Sequence, residues 1–166
     1  MSYMELKCKE ILQLLQQNSR YSNKDIADML ELSEDDVEKK IQDMVDDGII
    51  RQFTAIVNDN RIDGYPIKAL VELSISPEKD TGYDSIAKRI FGYNEVVSHY
   101  LVSGSYDFLL LVEGRNHKEI AHFVFDKLAT IENVKSTTTH FIFKSYKEHG
   151  VLMEEVESSS RLAIMP

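Results

Sequence analysis

Two groups of residues combine reactive side chains with useful spacing. The first is Gly104-Ser105-Tyr106-Asp107, which lies between two apolar-rich runs. In a tight turn, exposed backbone N–H groups bind a carboxylate, and an aspartate beside them meets an ammonium group. A zwitterion needs both partners close together. Glycine and aspartate also suit turns for purely conformational reasons, so the bland reading stands beside the functional one. Ser103 and Tyr106 are further candidates, and Thr137 and Thr139, at alternate positions of the last run, offer hydroxyls. The second group is Ser22, Asn23, Lys24, Ser33, Lys39, Lys40 and Arg51, with Arg20 as an additional candidate. Cations and hydroxyls around short helices suit phosphates. Lys39 and Lys40 serve equally as a solvated helix face. Asp35, Asp36 and Glu38 could accept from cytosine N4.

Other chemistry is not indicated. There is no phosphate-cradling glycine loop, no G-x-S-x-G elbow and no HExxH motif. His117 and His122 are five residues apart, a poor spacing for shared metal ligation. His99 and His140 are candidate pH-tuning groups, though a lone strand histidine is usually structural. Cys8 is the one cysteine and reads as a small core residue, so neither a disulfide framework nor a zinc site is expected. No enzyme activity, metal or cofactor is expected.

The elements that position these residues follow from periodicity. Residues 5–17 read as a helix with Met4, Cys8, Ile11 and Leu15 on one stripe and Leu12 beside it. A second helix starts after Ser22, paired with Asp25 as a capping box, and offers Ile26, Ala27 and Leu30. A third runs from the Ser33 cap to about Asp47, with Val37, Ile41 and Met44/Val45 inward and Gly48 as its left-handed stop. Two helices separated by so short a break must cross steeply, as in a helix-turn-helix.

The period then changes. Residues 49–57 alternate like a strand, and 58–66 read as a hinge. Strand signals at 67–75, 95–104, 105–114 and 133–147 enclose helix signals at 85–93 and 117–131. The order is β-α-β-β-α-β, a ferredoxin-like antiparallel sheet with both helices on one face. In the third strand Phe108, Leu110 and Val112 point one way, and Leu109 and Leu111 the other. A strand apolar on both sides needs cover on both sides, and a second copy of the sheet is the simplest cover. The resulting class is α+β, divided as 1–57, a 58–66 hinge, 67–150 and a 151–166 extension. In that extension VLMEEVE reads as a linker and RLAIM as an added edge strand.

A 43% apolar content suits a globular chain. No apolar run approaches the ~20 residues that span a bilayer, and no signal-peptide pattern opens the chain. A cytoplasmic protein without a membrane partner is expected. The net charge is −9, and residues 1–62 alone carry eight basic and thirteen acidic side chains. Any nucleic-acid role must overcome that balance, because phosphates repel carboxylates.

IADMLELS (26–33), Val37, Ile41, DDGIIRQFTAIV (46–57), VSGSYDFLLLV (102–112) and NVKSTTTHFIF (133–143) occur in this order over residues 5–147. Together they resemble the leucine-responsive/asparagine-regulator (Lrp/AsnC) family of transcription regulators. The resemblance implies a winged helix-turn-helix that binds double-stranded DNA through its third helix. It also implies a ferredoxin-like domain that dimerises, often into tetramers or octamers, and senses an amino acid or related metabolite. The 104–107 turn matches the family's G-x-Y-D pattern, and Thr137 and Thr139 match its Thr-x-Thr. Three departures stand out. Glu31 and Asn133 occupy positions where the family carries glycine, and the third helix opens on an acidic run. That run leaves a second expectation open, an effector-sensing oligomeric interaction module with weak or no DNA binding.

Overall fold

The computed structural model describes residues 3–76 and 82–154. The 161–165 segment read as an edge strand lies outside them, as does the side chain of Met4. Two compact units divide between Val57 and Asn58.

The first unit holds α1 (Tyr3–Gln17), α2 (Asn23–Leu30) and α3 (Glu34–Asp46). Ile11, Ile26, Ala27, Val37 and Met44 form its buried core, with Cys8, Leu12, Leu15, Ile41 and Ile50 packed around them. Cys8 is therefore a packing residue. The Lys7 ammonium donates to the Leu30 carbonyl at 3.1 Å and places a cation at the C-terminus of α2, where the helix dipole favours one.

Local chemistry fixes both ends of the α2–α3 break. The Ser22 hydroxyl accepts from the Asp25 N–H (3.1 Å), and the Asp25 carboxylate accepts from the Ser22 N–H (2.9 Å), a complete capping box. Glu31 then turns the chain at φ 55°, in the left-handed region. A non-glycine residue costs about 1 kcal/mol there. Glu31→Gly is accordingly expected to stabilise the first unit by up to about 1 kcal/mol, read as a raised denaturation midpoint. An unchanged or lowered midpoint would show that the glutamate side chain offsets the strain. Gly48 stops α3 at φ 71°, as expected.

Residues 49–57 form no strand, which corrects the reading from alternation. Only Ile50 packs on the first core, and Ile49, Phe53, Ile56 and Val57 are exposed. Alternation specifies which side chains share a face. It does not supply a neighbouring strand to complete a ladder.

The second unit is β1 (Ile67–Ile75), α4 (Asp84–Ile90), β2 (Val96–Leu101), β3 (Phe108–Gly114), α5 (His117–His122, continued by a π-helical turn over Phe123–Leu128) and β4 (Val134–Ile142). The sheet order is β2-β3-β1-β4, antiparallel throughout. This is the expected βαββαβ layout. Ala69, Val71, Leu73, Phe108, Leu110 and Val112 are fully buried against Ile86, Ile90, Ile120, Phe123, Val124 and Leu128 of the helices. Leu70, Leu109 and Leu111 occupy the opposite face and are only half-buried. Gly114 is required by close approach, since a Cβ there would lie 2.8 Å from Ile120 Cγ1. Asn133 turns into β4 at φ 72°, as asparagine tolerates.

The described part of the VLMEEVE segment, residues 151–154, is packed structure where a linker was expected. β5 (Lys147–Glu148) pairs with β6 (Val151–Leu152), and Met153 is buried. This hairpin is tied to the residues after Val57. The Asn58 amide donates to the Met153 carbonyl (2.5 Å), the Asn60 amide donates to the Ser145 carbonyl (3.1 Å), and Lys68 bridges Asp59 (2.8 Å) and Glu148 (3.3 Å).

Candidate functional site

In the first unit the site is α3 and its flanks. Capping places the N-terminus of α3 on the surface with Glu34, Asp35, Asp36, Glu38 and Lys39 exposed. Acidic side chains there suit the helix dipole. The Ser33 hydroxyl accepts from the Asp36 N–H (3.1 Å) and donates to Asp36 Oδ2 (2.6 Å). The Ser22 hydroxyl likewise donates to Asp25 Oδ2 (2.7 Å). A serine has one hydroxyl proton, so Ser22 or Ser33 can donate to a phosphate only by giving up its bond to the Asp25 or Asp36 carboxylate, while the capping bond it accepts is kept. Of the other candidates, the basic Lys24, Lys39 and Arg51 are exposed, and the amide of Asn23 is half-buried.

Lys40 departs from expectation. It is only 8% exposed and lies on the inner stripe between Val37 and Met44. The spacing 37, 40, 44 places it one turn from each, so it belongs to the packed side of α3 and not to its exposed face. Its apolar stem suits that position.

In the second unit the candidate turn spans Ser103–Asp107, between β2 and β3. Ser103, Gly104 and Ser105 are exposed, and Tyr106 is half-buried. The turn is closed by the Val102 N–H on the Asp107 carbonyl (2.9 Å) and by the Asp107 N–H on the Leu73 carbonyl (2.9 Å). Gly104 has open space where a Cβ would stand, and its φ is not left-handed. Neither strain nor crowding within the chain accounts for glycine at this position.

Asp107 is more than an exposed turn residue, which corrects the sequence reading. Its Oδ2 accepts from the Ile75 N–H at 2.7 Å, and its Oδ1 accepts from the Tyr83 hydroxyl at 2.8 Å. The β1–β3 ladder ends at Leu73–Phe108, and the β1–β4 register shifts at Ser74/Ile75. The Ile75 N–H is left over at that end, and the carboxylate satisfies it. These two donors, the backbone one foremost, hold the Asp107 carboxyl below the usual carboxylate range; Lys135 adds a smaller attraction. The same bond raises the Tyr83 phenol, because ionising it would set two anions together. The Tyr83 ring also packs edge-on against Phe108, with centroids 5.7 Å apart. Tyr83 carries no signal in the sequence, since its partner lies 24 residues away.

Thr137 and Thr139 do not face the turn. They pair with Leu73 and Val71 of β1, and β1 separates β4 from β3. Thr137 sits on the same rung as Phe108, two strand spacings or about 10 Å away. Within one subunit the turn and these hydroxyls are therefore not one site. His99 shares the helix-side face with Leu110, its ring edge-on to Phe108 at 4.5 Å, and burial lowers its pKa. His140 pairs with Glu72 at 3.2 Å. Among the described residues no group of three or more His, Cys, Asp or Glu is arranged to hold a metal, and no helix is long and apolar enough to cross a membrane.

Both units match known families. Residues 9–51 match the winged helix-turn-helix DNA-binding model, and residues 68–152 match the Lrp/AsnC ligand binding domain. The chain is 35% identical to the HTH-type transcriptional regulator YugG of Bacillus subtilis, with 95% of each chain covered. It is 29% identical to the HTH-type transcriptional regulator FL11 of Pyrococcus furiosus, over 84% of this chain and 89% of that one. A Neisseria meningitidis transcriptional regulator solved in complex with L-methionine superposes with a TM-score of 0.69 at 26% identity, covering 89% of this chain and 93% of that one. The fold of Escherichia coli AsnC superposes with a TM-score of 0.67 at 22% identity, covering 86% and 93%. A helix-turn-helix with capped, exposed α3 followed by a ligand-binding βαββαβ unit places the chain in the Lrp/AsnC family of transcription regulators.

Proposed function

We propose that the chain regulates transcription in the cytoplasm as a homodimer or larger assembly whose DNA binding responds to an amino acid. It acts by binding and has no catalytic role. The observation that carries the sensing half is the Ser103–Asp107 turn, glycine-bearing, exposed at Ser103, Gly104 and Ser105, and held by hydrogen bonds with Val102 and Leu73. In this reading the N–H groups of Gly104, Ser105 and Tyr106 take the effector carboxylate. Asp107 fixes the turn and leaves a negative charge beside the ammonium, and Thr137 and Thr139 contribute only where a second subunit brings them near. The methionine complex of the Neisseria relative supports an amino acid as ligand class.

On the DNA side, Lys39, Arg51, Lys24 and Asn23 make the phosphate contacts, and the α3 N-terminus meets base edges. The exposed acidic run, together with the burial of Lys40, favours one alternative, an effector-sensing interaction module with weak DNA binding.

One titration separates the two. Affinity for the chain's own promoter fragment should exceed that for random duplex and fall steeply with salt. Lys39→Ala and Arg51→Ala should each flatten the slope of log K against log salt by about one contact. Weak, equal affinity for promoter and random duplex would favour the interaction module.

A further inference from the structure

The outer face of α3 combines two polar side chains whose chemistry suits particular bases. Val37, Lys40 and Met44 are buried on one side of the helix. On the other side Asp35, Glu38, Lys39 and Gln42 are exposed at the i, i+3, i+4, i+7 spacing of a single helical face. Such a face is what a helix turns toward base edges in the major groove.

Gln42 is held from within the helix. Its Nε2 donates to Asp46 Oδ1 at 2.8 Å, one turn on. That bond uses one of the two amide protons. The second proton and Oε1 remain on the outer face, a donor beside an acceptor. Adenine offers the complementary pair, N7 and the N6 amine. Glu38, one turn back, makes no ion pair among the described residues. Its carboxylate can only accept. Cytosine N4 is the donor it suits, because the adenine amine stands beside N7, an acceptor that repels an anion. The two aspartates of this helix end have other work. Asp36 Oδ2 accepts from the Ser33 hydroxyl at 2.6 Å, and Asp35 lies in the first turn, where the helix dipole favours an acid.

We infer that α3 reads a cytosine with Glu38 and an adenine with Gln42, an inference that rests on the DNA-binding reading proposed above. Four residues span about 6 Å of helix, so the two bases lie about two base-pair steps apart. Asp46 is a positioning residue that fixes the Gln42 amide. The acidic face then acts as a filter. A carboxylate is repelled by the phosphates of every duplex, and only a cytosine at the matching place offsets that repulsion.

The test uses the full chain. Selection from a random duplex library gives the wild-type site. Affinities are then measured for that site, for copies changed at the cytosine or the adenine, and for random duplex. Gln42→Ala should lower affinity for the selected site about tenfold and erase discrimination at the adenine alone. Glu38→Ala should erase discrimination at the cytosine while random duplex is bound more tightly, a combination that a packing role would not produce. Asp46→Asn keeps an acceptor for Gln42 and should keep the adenine preference. Asp46→Ala should reduce that preference several-fold and leave the cytosine preference intact. A selected site without this cytosine and adenine, or preferences that survive Glu38→Ala and Gln42→Ala, would overturn the assignment and leave sequence-specific binding standing. A wild type with no sequence preference would overturn this assignment and the DNA-binding reading together.

Discussion

Asp107→Ala is expected to destabilise the second unit and to weaken effector binding together. The substitution strands the Ile75 N–H at the end of the β1–β3 ladder and frees the Tyr83 hydroxyl. Hydrogen bonds to a charged acceptor contribute about 1.5–3 kcal/mol each, and solvent access at this half-buried turn discounts them. A loss of about 1–3 kcal/mol in all is expected, or a Tm lower by several degrees. Effector affinity should fall as well, because the N–H groups that take the carboxylate are held in place by this residue. Asp107→Asn keeps an acceptor for Ile75 and lets the Tyr83 hydroxyl reverse its role, so it should lose less.

The acid limb of stability gives an independent check. Asp107 has a folded pKa below its unfolded value of about 3.9. A group depressed in this way contributes stability fully above the unfolded pKa and loses it as pH falls through the folded one. Wild type should therefore shed this contribution below about pH 4, and Asp107→Asn should lack that component. If Asp107→Ala keeps full stability at neutral pH and loses only effector affinity, the carboxylate is a ligand contact and not a bolt in the fold.

The local parts of this fold were legible because their causes are local. The Ser22–Asp25 and Ser33–Asp36 caps, the left-handed turns at Gly48 and Asn133 and the buried faces of β1 and β3 each depend on a few neighbouring residues, and each is found as read. The misreadings share a different origin. Lys40 looked like a surface cation because residue type outweighed its place on the 37–40–44 stripe. Thr137 and Thr139 were grouped with the turn on residue type and pattern alone, whereas the ferredoxin-like order inserts β1 between their strand and β3. The Tyr83–Asp107–Ile75 linkage joins three elements and leaves no periodic trace, so the turn's carboxylate read as free. Residues 117–131 read as one helix; Ile120, Phe123, Val124 and Leu128 point inward as that spacing predicts, and the sequence gives no sign of the π-helical turn over Phe123–Leu128.

Leu111→Asp is expected to abolish self-association and, through it, most DNA affinity. Leu111 stands on the open face of the sheet, between Ser98 of β2 and Leu70 of β1, with Leu109 and Tyr100 on a neighbouring rung. Its strand neighbours Leu110 and Val112 carry the core on the opposite face. A carboxylate at 111 therefore spares the subunit's packing and burdens only a partner docked on this face. An unpaired buried charge costs several kcal/mol, enough to dissociate a dimer of ordinary interface size at micromolar concentration. Sedimentation should then show a 19.1 kDa species with an unchanged far-ultraviolet spectrum. DNA binding should fall by about 10²–10⁴, since two helix-turn-helix units no longer engage one site together. Leu111→Met, which nearly conserves volume, should remain associated and bind DNA as wild type does. A Leu111→Asp protein that still sediments as a dimer would place the interface elsewhere, and the two-sided apolar character of β3 would then need another explanation. A monomeric variant that keeps wild-type DNA affinity would uphold the interface and show that one helix-turn-helix suffices for binding.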